Sequence, residues 1–275
     1  MIKNNFLIKS EGGILKKVVV CSPEYEYFDI KDKNYHNITE IAERNKTIEQ
    51  HRDLVSTISN FGVEVLKIQE LKDHPNSVFT RDTAVITKDG YIQLRMGLKS
   101  RMGEEIWMGK FLKEREIKCI GRVKSPGIAE GGDIILAGNV GFVGISTRTN
   151  KEGANQVRLI LEKQGFEVRI SHVSQPFLHI GGAMSVINEN TILCVDDVFP
   201  SNFFFDFKTI TISNEGFITG NVITLGKNEV IVNKKNIVVI DALEKENYRV
   251  HKLNFSEFTK GTGGPSCLIM PFKRD

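Results

Sequence analysis

Glu130-Gly131-Gly132-Asp133-Ile134-Ile135-Leu136-Ala137-Gly138-Asn139-Val140-Gly141-Phe142-Val143-Gly144-Ile145 is the stretch on which the fold is decided. Two apolar runs flank Gly138-Asn139, a dipeptide suited to a tight reversal, so the segment reads as a β-hairpin. Its first strand opens on polar and glycine residues rather than on apolar ones. On the C-terminal side Ala154, Val157, Ile160 and Leu161 share one helical face, closed by Gly165, and 166–170 is another strand.

The same order recurs along the chain. Residues 16–21 form a buried strand, apolar positions from Ile38 to Phe61 have helical spacing ended by Gly62, and 63–68 is a strand. Residues 78–87 read as a strand with charges in its middle, turned by Asp89-Gly90 into 91–95. Ser100 is placed to cap a helix through Ile106, Trp107 and Phe111 to Glu116, before a strand at 118–120. Further hairpins pair 179–187 with 191–195 and 222–225 with 229–232. A helix near 242–248, a strand at 250–253 and a last strand at 267–270 complete the pattern, and Phe-rich 200–210 is expected as a short helix on the sheet. Residues 24–36 are expected as a surface loop, with a cover over a pocket as the alternative. A unit of roughly forty to fifty residues thus repeats about five times, the period of propellers and solenoids. A doubly wound α/β sheet gives a similar alternation.

Composition narrows the function classes. With 275 residues the chain can bury a substantial core, and a net charge of +3 from scattered basic residues argues against nucleic acid as a partner. No stretch is apolar enough to cross a bilayer, and the N-terminal residues 1–6 lack the run of a signal peptide. Four cysteines without regular spacing suggest neither a disulfide framework nor a zinc site, so a reducing cytoplasm is expected.

Four of the repeats begin their hairpin with a group capable of chemistry: Asp82, Glu130 with Asp133, His179, and Cys267. Cys21, Cys119 and Cys194 sit among apolar neighbours and read as core thiols. Cys267 instead follows the loop Gly261-Thr262-Gly263-Gly264-Pro265-Ser266, where a sulfur can face a pocket. Each group also has a plain reading: Asp82 as the partner of Arg81, Glu130 to Asp133 as a turn, His179 as a core histidine. Their equivalent placement in the repeat is what those plain readings leave unexplained. A guanidinium stays charged at neutral pH and is held by paired carboxylates. Its delocalised carbon needs a strong nucleophile such as a thiolate, and a histidine can protonate the departing amine.

Together Phe79-Thr80-Arg81-Asp82, Glu130-Gly131-Gly132-Asp133, the stretch from Gly144 to Asn150, Leu178-His179 and Gly263-Gly264-Pro265-Ser266-Cys267 resemble the guanidino-modifying, or pentein, superfamily. Its members are five-bladed α/β propellers of ββαβ units, and include dimethylarginine dimethylaminohydrolases, arginine deiminases and amidinotransferases. The resemblance implies a single catalytic α/β-propeller domain over residues 1–275 that uses no cofactor and no metal. Cys267 would attack the guanidinium carbon, His179 would protonate the leaving amine and activate water, and Glu130 would orient His179. Asp82, Phe79 and Asp133 would contact the guanidino substrate, Arg148 its α-carboxylate, and Arg95 would be a second such contact. Gly181 stands where arginine deiminases carry an aspartate, and the chain is too short for their helical insertion. Asn76 is similar to an asparagine of arginine dihydrolases. The expected activity is that of a dimethylarginine dimethylaminohydrolase, producing citrulline. An arginine dihydrolase, an amidinotransferase and a catalytically silent propeller are the rivals. Assembly stays open, a homodimer being one option.

Overall fold

Four hairpins form, each completed by a third strand, and a fifth sheet makes five three-stranded sheets in a computed structural model that describes residues 7–275. The stretch 1–6, read above for its lack of a leader, lies outside the described residues. β1 (Leu15–Cys21) runs parallel to β2 (Glu64–Ile68) through the crossover helix α1 (Arg44–Asn60). β3 (Ala84–Thr87) pairs antiparallel with β4 (Gly90–Gln93), and α2 (Glu104–Lys113) returns the chain to β5 (Cys119–Arg122), parallel to β4. β6 (Ile134–Ala137), β7 (Val140–Ile145), α3 (Lys151–Glu162) and β8 (Glu167–His172) repeat that order. After the single-turn helix α4 (Ile180–Ala183) come β9 (Met184–Asn188), β10 (Thr191–Val195) and β11 (Lys208–Ile212). β12 (Ile223–Gly226), β13 (Glu229–Asn233), α5 (Ile237–Lys245) and β14 (Arg249–Leu253) make the next sheet. β15 (Met270–Arg274) pairs antiparallel with β1, Met270 opposite Val19, so the fifth sheet is completed by the two ends of the chain.

Burial is graded outward. β3, β6 and β12 are buried at every residue, and their only polar side chains, Thr87 and Thr224, are small and hydrogen-bonded, as suits strands covered on both faces. The third strands β8 and β14 carry exposed and half-buried residues. The apolar side chains form three clusters between neighbouring sheets, and each fully buried Leu or Ile among them stabilises the fold by about 1.5–3 kcal/mol.

Several expectations change. Residues 78–83 are not strand: two 3-10 turns, Pro75–Val78 and Thr80–Asp82, precede β3. Thr80 Oγ1 donates to the Val19 carbonyl and Thr83 Oγ1 to that of Thr80, side-chain bonds that compete with a ladder. α1 begins at Arg44, where the Glu43 side chain accepts from the Asn45 N–H, and Ile41 and Ile48 are exposed while Thr47, Gln50 and His51 are buried. α2 begins after Gly103, whose φ of 112° suits glycine, and not at Ser100. α5 starts at Ile237, ahead of the expected 242.

The Phe-rich segment 200–210 is a run of turns leading into β11, so this unit departs from the ββαβ order. Phe203, Phe204 and Phe207 instead surround Phe142, and Arg169 donates to the carbonyls of Phe203 and Phe205. Aromatic volume does there what a helix does between other strands. Cys267 belongs to a 3-10 turn, Pro265–Leu268, with the last strand beginning only at Met270.

The first strands of the sheets are neighbours: β15 packs against β3, β6 against β9, and β9 against β12. The turns that lead into them also meet. Thr80–Asp82 touches both Gly131–Asp133 and Pro265–Leu268, and Gly131–Asp133 touches α4. Residues far apart along the chain are thereby delivered to one place.

Candidate active site

Cys267 lies half-buried in its turn, with the Gly264 N–H donating to Sγ at 3.4 Å. The turn is clamped by Asn221, whose Nδ2 donates to Ser266 Oγ (2.7 Å) and to the Gly181 carbonyl (2.8 Å) while its Oδ1 accepts from the Ser266 N–H (2.9 Å). A Cβ at Gly263 would overlap the Phe79 ring, so that glycine is required by close approach. Burial first, then the Asp82 charge, pushes the thiol up to about 12, against the Gly264 N–H and the cations of Arg81 and Arg101. The ligand-free sulfur is a neutral thiol, not the open loop thiol that its glycine-rich approach suggests.

His179 immediately precedes α4 and lines the same cavity as Cys267. Its Nε2 is 2.9 Å from Glu130 Oε2, and its Nδ1 is 4.0 Å from Asp82 Oδ1. A Cβ at Gly132 would press on the imidazole and on Asp82, which explains the glycine between the two acidic residues of that motif. Burial by itself disfavours the imidazolium, but Asp82, Asp133 and Glu130 outweigh it and raise His179. Burial alone would raise the Glu130 carboxyl, yet the His179 bond and the Arg148 and Arg101 cations hold it well below the usual range. The same contacts favour the carboxylate form of Glu130 and the imidazolium form of His179.

Arg101 was missed by the sequence reading. It is 2 % exposed, with Nη1 2.5 Å from Asp82 Oδ2 and 3.9 Å from Glu130 Oε2. Its Nε and Nη2 bind Glu104 Oε2 at 2.9 and 2.7 Å, and Nη2 also donates to the Phe79 carbonyl at 3.0 Å. Burial, only partly offset by Arg101, lifts the Glu104 carboxyl to about 7. Three buried acceptors in this cluster, Asp82 Oδ1, Asn76 Oδ1 and Glu104 Oε1, have no donor among the described residues. Asn76 Nδ2 is held by the His36 carbonyl, tying the loop after residue 24 to the site.

The remaining expected residues divide. Arg148 is buried with Nη1 3.3 Å from Glu130 Oε2, and Phe79 packs edge-on against Tyr27. Asp133 is spent on the fold: Oδ1 accepts from the Ile180 N–H (2.9 Å) and Oδ2 from Ser146 Oγ (2.6 Å). Burial raises it to about 6. Arg95 bridges to Ala129 through its backbone and donates from Nη1 to the Gly127 carbonyl, away from the carboxylates. Asn221, also missed, occupies before β12 the place that Asp82, Asp133, His179 and Cys267 occupy before the other first strands. Its signal was positional, and only that equivalence could have found it.

Asp82, Glu130 and His179 bring ligand atoms within 4.8 Å of one another, a spacing that could hold a metal ion. Arg101 and Arg148 already sit against these carboxylates, so protein cations supply the compensating charge. The unbonded Asp82 Oδ1 beside an imidazolium suits a planar N–H donor better than a divalent ion.

The family described as N,N dimethylarginine dimethylhydrolase, eukaryotic, matches residues 27–274. The N(G),N(G)-dimethylarginine dimethylaminohydrolase of Pseudomonas aeruginosa is 29% identical over 227 residues, 82% of this chain and 89% of that one. A structure of the Pseudomonas aeruginosa enzyme, a cysteine-to-serine mutant complexed with citrulline, superposes with a TM-score of 0.83 at 26% identity, covering 94% of this chain and all of the other. The N-terminal domain of a cyanobacterial arginine dihydrolase shares the fold, with a TM-score of 0.81 at 18% identity over 92% of this chain and 96% of that one.

Proposed function

The chain belongs to the N,N dimethylarginine dimethylhydrolase family, within the guanidino-modifying superfamily, and we propose that it hydrolyses a methylated arginine to citrulline and the methylated amine through a covalent bond to Cys267. One observation carries this reading: a thiol and a carboxylate-held imidazole share a cavity beside a buried carboxylate oxygen that lacks a donor among the described residues. We read the five sheets as blades of one propeller domain working in the cytoplasm. Support comes from the shared strand order of the sheets and from four cysteines that are all free.

Within the site the protein's own cations cover its anions, Arg101 on Asp82 and Arg148 on Glu130. A substrate that carries both a guanidinium and an α-carboxylate exchanges those pairs. Its carboxylate draws Arg148, and its guanidinium N–H groups take Asp82 Oδ1 and Glu130. The arriving positive charge lowers the thiol's pKa, and the proton leaves through the cavity mouth. The thiolate forms a C–S bond to the guanidinium carbon. The imidazolium of His179 gives its proton to the methylated nitrogen, the C–N bond breaks and the amine departs. Neutral His179 then takes a proton from water and the hydroxide adds to the same carbon; the C–S bond breaks as the adduct's hydroxyl proton passes to the sulfur, and citrulline leaves with the Cys267 thiol restored.

Incubation with dimethylarginine, arginine and agmatine, with products read by mass spectrometry, tests this. Citrulline with dimethylamine from the first is expected. Turnover of agmatine equal to that of dimethylarginine would contradict the carboxylate exchange.

A further inference from the structure

The cavity that Cys267 lines is lined also by Gly182, Ser185 and Ile269 and by three charged groups, Arg81, Glu11 and Arg274, which form its charged floor. The floor is closed by the N-terminal segment. Arg274 N–H donates to the Leu7 carbonyl, Glu11 N–H to that of Leu136, and Arg274 Nη1 to that of Gly13. From this segment Glu11 reaches inward, its Oε1 2.6 Å from Arg81 Nη2, which also donates to the Ile134 carbonyl at 3.0 Å. The side chains are only 11% and 18% exposed for Arg81 and Glu11, so water screens them little.

We propose that Glu11 is a positioning residue: by fixing and partly neutralising Arg81 in the cavity floor, it sets the charge that the Cys267 sulfur faces from below. The charged groups that face the sulfur are Asp82 and Arg81 from one turn, Arg101 from the next, and His179 from the start of α4. Arg274 adds a second cation to the floor, with Nε unbonded among the described residues. Arg81 opposes the effect of Asp82 on the thiol. The family match begins at residue 27, so Arg81 falls inside it and Glu11 outside.

The inference rests on Cys267 as the nucleophile but is read without substrate. Cys267 is alkylated with iodoacetamide at a fixed pH below its pKa, and the modified peptide is followed by mass spectrometry. There the rate tracks the thiolate fraction, tenfold per pKa unit. Glu11→Gln keeps an acceptor for Arg81 and removes the negative charge, so the rate should rise about threefold, or half a pKa unit. Arg81→Gln should lower it by a similar factor, and the double variant should return towards the wild-type rate. Loosened packing would speed alkylation in both single variants, so opposite signs separate charge from structure. Equal rates in Glu11→Gln and wild type, or shifts of one sign in both single variants, would overturn the proposal. Where Arg81→Gln fails to fold, Glu11→Asp takes its place: it keeps the charge on a shorter arm, so a rise in Glu11→Gln but not in Glu11→Asp supports the proposal, and a rise in both or in neither overturns it. A chain that shows the opposite shifts yet turns over no guanidino compound would refute the proposed function and leave this inference standing.

Discussion

His179 is bonded to Glu130 through Nε2 at 2.9 Å, and its other nitrogen is turned to Asp82 at 4.0 Å. The imidazole therefore has one nitrogen committed to a permanent partner and one beside an acceptor that is short of a donor. This asymmetry gives the ring a defined orientation and keeps its proton available at the cavity.

Removing either member of the bonded pair should be severe. His179→Asn removes the proton donor and should lower kcat by about 10²–10⁴-fold, the usual worth of a positioned acid–base. Glu130→Gln should also shift the alkaline limb of the kcat profile to lower pH, because the anion that helps keep His179 protonated is gone. Steady-state rates from pH 5 to 9 check both, and a Glu130→Gln profile that only scales down without shifting would contradict the assigned charge.

Asp82 has two opposed duties, since it raises the Cys267 thiol and offers Oδ1 to substrate. Asp82→Asn should therefore speed alkylation of the ligand-free sulfur while lowering kcat/KM by at least about tenfold, the loss of one charged hydrogen bond. Slower alkylation would show that the carboxylate does not act on the thiol.

How much of this could be read beforehand follows from what repeats. The hairpins were legible because apolar runs and turn residues are local signals, and the meeting of His179 with Asp82, and with Cys267 in one cavity, followed from their equivalent places in the repeat. The turns at Thr80–Asp82 and Pro265–Leu268 were not, because side-chain bonds to backbone from other parts of the chain decide them. The Phe-rich run misled because apolar content reports burial, not helix. Arg101 was invisible for another reason: its partners Asp82 and Glu130 are distant in sequence, and nothing beside it announces a buried cation.

Asp133 gives a stability test independent of catalysis. Its folded carboxyl, raised to about 6 by burial, holds a proton more tightly than the unfolded chain does. Its contribution is therefore full below about pH 4 and is lost as pH rises through about 6, on the order of 3 kcal/mol in all. Asp133→Asn has no such penalty, so wild type should lose Tm relative to the variant between pH 4 and 7. Parallel melts with a constant difference across that range would contradict the assignment.

The central claim is a covalent bond between Cys267 and the guanidinium carbon, and rapid quenching during turnover of dimethylarginine, followed by peptide mass mapping, tests it most directly. An amidino adduct should appear on the Cys267 peptide alone, rise and fall with product formation, and be absent from Cys267→Ser, which should release no citrulline. Citrulline formed at an undiminished rate by Cys267→Ser, or an adduct on any other cysteine, would contradict it.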